Sequence, residues 1–372
     1  MIKLFKKVIA VIVCCSCMAM VGCGEEQESS LLTVKQFDKP VSLVQQAVVD
    51  YINADGATLV SRFLPQGLYR YDKAISVMVG YETQEKVKSA KVEVSQSQDF
   101  SKIEKVVDFP ERGKNARLTN LLPGATYYFK ITLTLANGNT IFKTGSFQTV
   151  KSVRMIDLDG GSNARDIGGW KTEDGKEIKY GVLFRGGEID GGKNTGHADF
   201  NLTAHGIAQL RELGVKTDFD LRSESVKVSD YSVLGEDINR TFYNSAQYQS
   251  ILQPENAEKT RKIFSDLAKP EIYPVYLHCT HGVDRAGSIT LLLEGLLGVS
   301  KQDLIKDYEL SAFYHNYKHV NREVENGGSI LALIEGIEGF EGQTFAQKVE
   351  NFMLSIGVTA QEIASIRSIF LA

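Results

Sequence analysis

Near residue 150 the hydrophobic pattern of this chain changes period, and that change limits what it can fold into. Before it, the segments are short and alternate. Ala74–Val79, Ala90–Val94 and Lys102–Phe109 set apolar and polar residues by turns, the period of two that puts neighbours on opposite faces of a strand. The run Leu121–Ile131 is the clearest, with Tyr127, Phe129, Ile131 and then Leu133 on one face. Asn137-Gly138 offers a tight hairpin turn, after which Ile141–Val150 returns. Strands at this spacing predict an antiparallel, all-β sandwich over 31–150, with Ser42–Ile52 open to a short helix.

After 151 strands and helices take turns. Thr203 is placed to cap a helix carrying Ile207, Leu210 and Leu213, stopped by Gly214. Strand-like segments come next at 216–221, 240–244 and 274–279. The last runs through Gly282 into an apolar helix, Ala286–Leu297, closed by Gly298. Ser300-Lys-Gln-Asp303 reads as the start of the next helix, and Phe352–Leu371 as helix broken at Gly357. The expectation is an α/β domain over 151–372 with a partly parallel sheet flanked by helices. A chain of 372 residues suits two domains, and 43% hydrophobic residues exclude disorder. A formal net charge of −4 argues against a nucleic-acid partner, whose footprint is a basic patch.

The first residues carry a different message. Lys3, Lys6 and Lys7 precede an apolar run from Val8 to Val21, the form of a secretory signal and too short for a comfortable membrane span. The run closes on Met20-Val21-Gly22-Cys23, which resembles the bacterial lipobox, although Met20 stands where leucine is commoner. That resemblance implies a signal peptide over 1–22, a lipid on Cys23, a polar tether over 23–30, and export to a bacterial membrane. An ordinary signal peptide with Cys23 incidental is the alternative. Loss of 1–22 also removes Cys14, Cys15 and Cys17, leaving Cys279 as the one thiol besides Cys23.

That thiol lies in His278-Cys279-Thr280-His281-Gly282-Val283-Asp284-Arg285-Ala286-Gly287-Ser288. A cysteine ends a buried strand, and after five intervening residues an arginine opens a helix. A tight strand-to-helix loop can turn successive N–H groups inward as an anion nest, and the helix start adds its positive dipole end. Gly282 eases the turn, and Arg285 can fork onto two phosphate oxygens. A cysteine in such a field is favoured as its nucleophilic thiolate.

His-Cys-x5-Arg resembles the signature of cysteine-dependent protein tyrosine and dual-specificity phosphatases. Other landmarks resemble a bacterial branch of that superfamily, in the same order: Asn163-Ala-Arg165-Asp166-Ile-Gly168-Gly169, Gly181–Gly186, Leu202-Thr203, Asp220-Leu-Arg222-Ser-Glu224, and the C-terminal Gly357-Val-Thr with Glu362-Ile and Ile366-Arg. The resemblance covers 151–372. It implies a phosphomonoester hydrolase in which Cys279 attacks phosphorus. The loop Thr280, His281, Gly282, Val283, Asp284 and Arg285 would hold the phosphoryl oxygens, and water would clear a cysteinyl-phosphate. Many relatives keep an acid aspartate on a mobile loop, but the corresponding Phe242–Tyr248 has none. Asp284 is therefore the expected general acid, with Asp266 the weaker alternative and bracing of the loop the bland role for Asp284. No metal or organic cofactor is implied.

Two departures bear on activity. Relatives carry Ser or Thr after the arginine, where the hydroxyl assists thiolate departure; here Ala286 stands there and Ser288 comes two residues later. Lipid-preferring relatives often carry lysine where this chain has Val283. Phosphotyrosine in a protein or peptide is thus the expected substrate. A phosphoinositide or inositol phosphate is the alternative, and a non-catalytic phosphate-binding module is the alternative of another class. His281 could add charge at the mouth or be an ordinary loop histidine. Arg165 with Asp166 reads as an ion pair or as part of the site floor, Asp220 and Arg222 as bracing, and His278 as an internal hydrogen bonder. His315 and His319 have metal-pair spacing but no third ligand, and Phe313–Tyr317 reads as helix packing. In the N-terminal half, Leu-x-Pro-Gly-x-x-Tyr resembles the late-strand signature of fibronectin type III domains, in which the tyrosine bonds back to the chain. The usual early tryptophan is missing, since Trp170 is the only one.

Overall fold

A computed structural model describes residues 28–64, 71–191, 201–314, 320–323 and 328–372. Cys23, the signal segment, His315 and His319 lie outside the described residues. Among the described residues no helix is long and apolar enough to cross a membrane.

Among the described residues the N-terminal half has seven strands: β1 (Thr33–Val34), β2 (Val77–Glu82), β3 (Val87–Ser95), β4 (Lys105–Asp108), β5 (Asn115–Leu118), β6 (Thr126–Leu135) and β7 (Thr140–Gln148). They form two antiparallel sheets, β1-β2-β5 and β4-β3-β6-β7. Both sheets bury their inner faces in one cluster, with Val77, Val79 and Leu118 from one side and Val92, Val94, Phe129, Ile131 and Leu133 from the other. β6 alternates throughout, as its sequence requires, and turns into β7 at Gly138, whose φ is +89°. The strand expected at 102–109 shrinks to 105–108, with Ile103 exposed. The strand expected at 74–79 starts at Val77, because Ala74 is packed in the other core. Glu28 and Ser29, at the end of the stretch read as a tether, dock on β7. Glu28 pairs with Lys143 at 2.9 Å, and the Ser29 N–H donates to the Phe142 carbonyl at 3.0 Å.

Between β1 and β2 the chain leaves the sandwich. Helix α1 (Gln46–Asn53) and the segments beside it bury Val44, Val48, Tyr51, Val60 and Ala74 in the core of the C-terminal half. These residues precede 151 in the chain yet pack with residues beyond it, because α1 presents an apolar face that the sandwich leaves uncovered.

The C-terminal half holds a six-stranded mixed sheet. Its strands are β8 (Arg154–Met155), β9 (Arg165–Asp166), β10 (Leu183–Gly186), β11 (Thr217–Asp220), β12 (Asn239–Phe242) and β13 (Val275–His278), in the order β12-β11-β13-β10-β9-β8. β12, β11, β13 and β10 run parallel, while β9 and β8 are antiparallel additions. Around it lie α2 (Ala204–Glu212), α3 (Ala257–Leu267), α4 (Asp284–Leu297), α5 (Lys301–Glu309), α6 (Ile330–Glu338), α7 (Phe345–Ser355) and α8 (Ala360–Phe370). Thr203 caps α2 by accepting the Gly206 N–H, and Ser300 caps α5 by accepting that of Asp303. The helix expected at 352–371 is two, separated at Gly357 with φ +90°. Both open with capping boxes, Thr344/Gln347 and Thr359/Glu362.

The halves are tied by polar contacts. Arg117 pairs with Asp157 at 2.7 Å, and Lys105 with Glu212 at 3.0 Å. Asn120, in the left-handed region at φ +56°, exchanges hydrogen bonds with the Asp157 backbone.

Candidate active site

β13 lies between β11 and β10, so its C-terminal end opens at the centre of the parallel strands, where ligands of such sheets collect. Cys279 comes directly after β13 and is 1% exposed. Thr280 to Val283 form a loop, and α4 begins at Asp284.

Three successive loop carbonyls are held from outside. The Thr280 carbonyl accepts the Glu188 N–H at 3.0 Å, that of His281 accepts Asn163 Nδ2 at 3.2 Å, and that of Gly282 accepts Arg185 Nη2 at 2.8 Å. A trans peptide is planar, with its N–H opposite its C=O. Fixing these carbonyls outward therefore points the N–H groups of His281, Gly282 and Val283 to the concave side. Gly282 is at φ +71°, and a Cβ there would stand 2.4 Å from the Gly186 backbone. Only glycine fits this loop against β10. Arg285 donates from Nη2 to the Thr280 hydroxyl at 3.1 Å, bridging the two ends of the loop.

The outer ring is itself braced. Asp307 on α5 holds two arginines: Arg165 Nε at 3.0 Å and Arg185 Nη1 at 2.8 Å. Burial and then Arg165 lower the Arg185 pKa to about 10. Arg165 also donates from Nη1 to Asn163 Oδ1 at 2.8 Å. Arg165 and Asp166 are not a pair. Neighbours on a strand face opposite ways, and Asp166 binds Arg154 at 3.1 Å while Arg165 turns to Asp307. On the other side, His278 shares Nε2 with Asp218 Oδ1 at 2.8 Å and lies 3.8 Å from Asp220. Burial works against its imidazolium, but Asp220 and Asp218 outweigh burial and raise its pKa above the ordinary histidine value. Asp220 is in turn bound by Arg222 and Arg240, each at 2.7 Å.

Asp284 accepts a very short hydrogen bond from the Tyr248 hydroxyl, which lies 2.9 Å from that of Tyr308. Burial, Tyr308 and Asp284 raise the Tyr248 pKa, and burial pushes Tyr308 up to about 12. Tyr248 sits at the end of the stretch where a loop aspartate would stand. Its φ of +50° turns a large side chain inward toward Asp284. Its N–H donates at 2.7 Å to Ser288 Oγ, which donates at 2.7 Å to the Asp284 carbonyl. The Ser288 hydroxyl is thus engaged within α4 and its neighbour, and Ala286 is fully buried. Asp266 is placed quite differently. It lies on α3 between Lys262 and Lys269, which with Tyr243 overcome burial and hold it below the usual carboxylate range, the wrong state for an acid.

Tyr248, Tyr308 and Asp307 were not singled out from the sequence. Asp307 stands among Lys306, Tyr308 and Glu309, in a stretch that reads as solvated helix, and nothing local marks it as buried. Among the described residues no group of acidic, histidine or cysteine side chains could hold a metal ion.

Comparison with known proteins bears on this geometry. Residues 156–372 match the model of the tyrosine phosphatase family. A protein of Cupriavidus necator, provisionally named a tyrosine-protein phosphatase, is 27% identical over 185 residues, covering 43% of this chain. The chain spans 64% of that relative's length. The crystal structure of the core catalytic domain of the PP-IP phosphatase SIW14 from S. cerevisiae, in complex with citrate, matches at 16% identity. It covers 37% of this chain and 76% of that one, with a TM-score of 0.27, too low to bear on the fold. The family match takes in most of the mixed sheet, the Cys279–Arg285 loop and every helix from α2 onward, and on that ground the chain belongs to the tyrosine phosphatase family.

Proposed function

We propose that this chain is a cysteine-dependent phosphatase of phosphotyrosine in proteins or peptides. The observation that carries the reading is the row of held carbonyls at Thr280, His281 and Gly282, which supports a loop whose opposite N–H groups can bind phosphoryl oxygens between Cys279 and Arg285. In this reading the Cys279 thiolate attacks phosphorus as the ester P–O bond breaks, and the Asp284 carboxyl gives its proton to the leaving oxygen. Arg285 and the N–H groups stabilise the equatorial oxygens. Asp284, now ionised, takes a proton from water as that water attacks phosphorus. The S–P bond breaks, inorganic phosphate leaves and the thiolate returns.

Val283 supports a tyrosine ester over a highly charged inositol phosphate, since it is 3% exposed and adds no cation to the mouth. One observation favours a second reading, a slow enzyme or a phosphate reader: the hydroxyl of Ser288 is committed elsewhere and Ala286 has none. For the N-terminal half, the paired sheets and the Leu122 N–H donating to the Tyr127 hydroxyl at 2.8 Å support a fibronectin type III sandwich. A lipid on Cys23 would hold that sandwich nearest a bacterial membrane.

The test is phosphate release from a phosphotyrosine peptide, a phosphoserine peptide and phosphoinositide vesicles, with Cys279→Ser beside the native chain. Release should be fastest from phosphotyrosine and absent in Cys279→Ser. A rapid first turnover followed by a slow steady state would trace the missing hydroxyl, and preference for the lipid would replace the substrate assignment. Fractionated cells from the same preparation should hold the protein in membranes and Cys23→Ser in the soluble fraction.

A further inference from the structure

The family match begins at 156, yet the loop that carries Cys279 is braced by a residue from far upstream. Asp72 lies in the excursion between β1 and β2. It is 2% exposed, and its Oδ2 accepts the Asn163 N–H at 2.8 Å. Asn163 is at φ +51°, a conformation that costs energy without support. Its side chain donates from Nδ2 to the His281 carbonyl and to Ser311 Oγ, and accepts from Arg165. The Asp72 carboxylate thus fixes the backbone whose side chain holds one of the three outward carbonyls.

The excursion is anchored at other points. Tyr51 bonds Glu309, Lys306 Nζ donates to the Ile52 and Ala54 carbonyls at 2.6 and 2.8 Å, and the Tyr71 N–H donates to the Phe313 carbonyl at 3.0 Å. A segment held only by its apolar residues would not need a buried carboxylate, which is costly unless it is paired or hydrogen-bonded. Here the carboxylate is spent on the turn that reaches the cysteine loop.

We infer that Asp72 is a positioning residue for the phosphate-binding loop, and that the described parts of the excursion between the first two sandwich strands, 35–64 and 71–76, belong to the catalytic unit. The inference rests on the phosphatase reading only for its rate readout; the binding readout stands without it. A loop carbonyl released from Asn163 lets the His281–Gly282 peptide rotate, which turns the Gly282 N–H away from the phosphoryl oxygens. Misplacement on this scale is felt mainly in turnover and in affinity for transition-state mimics, because both depend on converging donors.

The experiment uses the full chain and the variants Asp72→Ala and Asp72→Asn. Turnover of p-nitrophenyl phosphate, binding of orthovanadate and thermal unfolding are measured on each, at a temperature where all are folded. Asp72→Ala should lose about ten-fold in kcat and a comparable factor in vanadate affinity, as expected for a lost charge-assisted bond. Asp72→Asn keeps an acceptor oxygen and should fall between Ala and native. A folded Asp72→Ala with native turnover and native vanadate affinity overturns the inference, whatever its melting temperature. If Asp72→Ala does not fold, Asp72→Asn decides: a loss of about three-fold in vanadate affinity supports the inference, and native affinity overturns it. If the native chain turns over no ester while vanadate binding weakens in the variants, the phosphatase reading fails and the role of Asp72 stands.

Discussion

Tyr248 gathers three features at one residue: a left-handed backbone, a hydroxyl on Asp284 and a second hydroxyl contact with Tyr308. Bulky residues adopt φ of +50° only when surroundings impose it, and such strain gathers where geometry serves chemistry. The contact is specific enough to test. Tyr248→Phe removes the bond to Asp284 while keeping the ring, so kcat should fall by roughly three- to ten-fold and the melting temperature by a few degrees, as for the loss of one hydrogen bond worth about 1 kcal/mol. Measured with an aryl ester whose leaving group needs no proton, the same variant should be close to native. Equal loss on both kinds of ester would remove Asp284 from the acid role and leave Tyr248 a packing residue. The cysteine and arginine were legible because their spacing is local. Tyr248 was not, since its partner lies thirty-six residues away and only the fold joins them.

At the scale of elements, α4 does the most. Its first residues close the loop, and nearly all of its length is buried, so it is the spine of the C-terminal core. Its apolar run made it readable, and Gly298 marks its end at φ +96° as expected. Glu294 breaks that pattern. Both its carboxyl oxygens are buried without a hydrogen-bond partner among the described residues. Burial, and then Asp307, raise its pKa well above the ordinary glutamate value, while the two arginines hold Asp307 low. An acid whose pKa is raised by folding binds more protons folded than unfolded above its unfolded value, so it subtracts stability as pH rises. Glu294→Gln should therefore match the native melting temperature near pH 4 and exceed it at pH 7, by roughly 2–4 °C per kcal/mol regained. A variant that melts lower at pH 7 would mean that Glu294 is ionised and held by the arginine pair.

For the whole molecule, the two halves are interlocked. The chain enters the sandwich at β1, crosses to the C-terminal core with α1, and returns for β2 to β7. The Val41–Thr149 bridge draws the two ends of this path together. Removing everything before 151 strips Val44, Val48, Tyr51 and Val60 from the larger core and leaves Glu309 without Tyr51. Several large side chains lost at about 2–5 kcal/mol each exceed the stability of an ordinary domain. Residues 151–372 alone should thus be insoluble or bind a hydrophobic dye, while the chain from 31 onward unfolds cooperatively. A soluble, cooperatively folding 151–372 would separate the halves after all. The change in period puts a boundary at 150, while Val44, Val48, Tyr51 and Val60 pack in the larger core, because pattern reports which face is apolar and not what covers it.

Local order was already decided by the residues themselves. The alternation of β6, the caps at Thr203 and Ser300, the glycines after α2 and α4, and the spacing of Cys279 from Arg285 are all features of short stretches of chain. Such features leave their trace in the order of the chain. Tertiary structure alone decided which side chains surround that loop. Asp72, Asn163, Arg185, Asp307 and Tyr248 come from five separate stretches, Arg185 from β10 and Asp307 from α5, and they meet only when those stretches pack around α4 and β13. Bonds across such distances depend on packing geometry, which no short window of sequence contains.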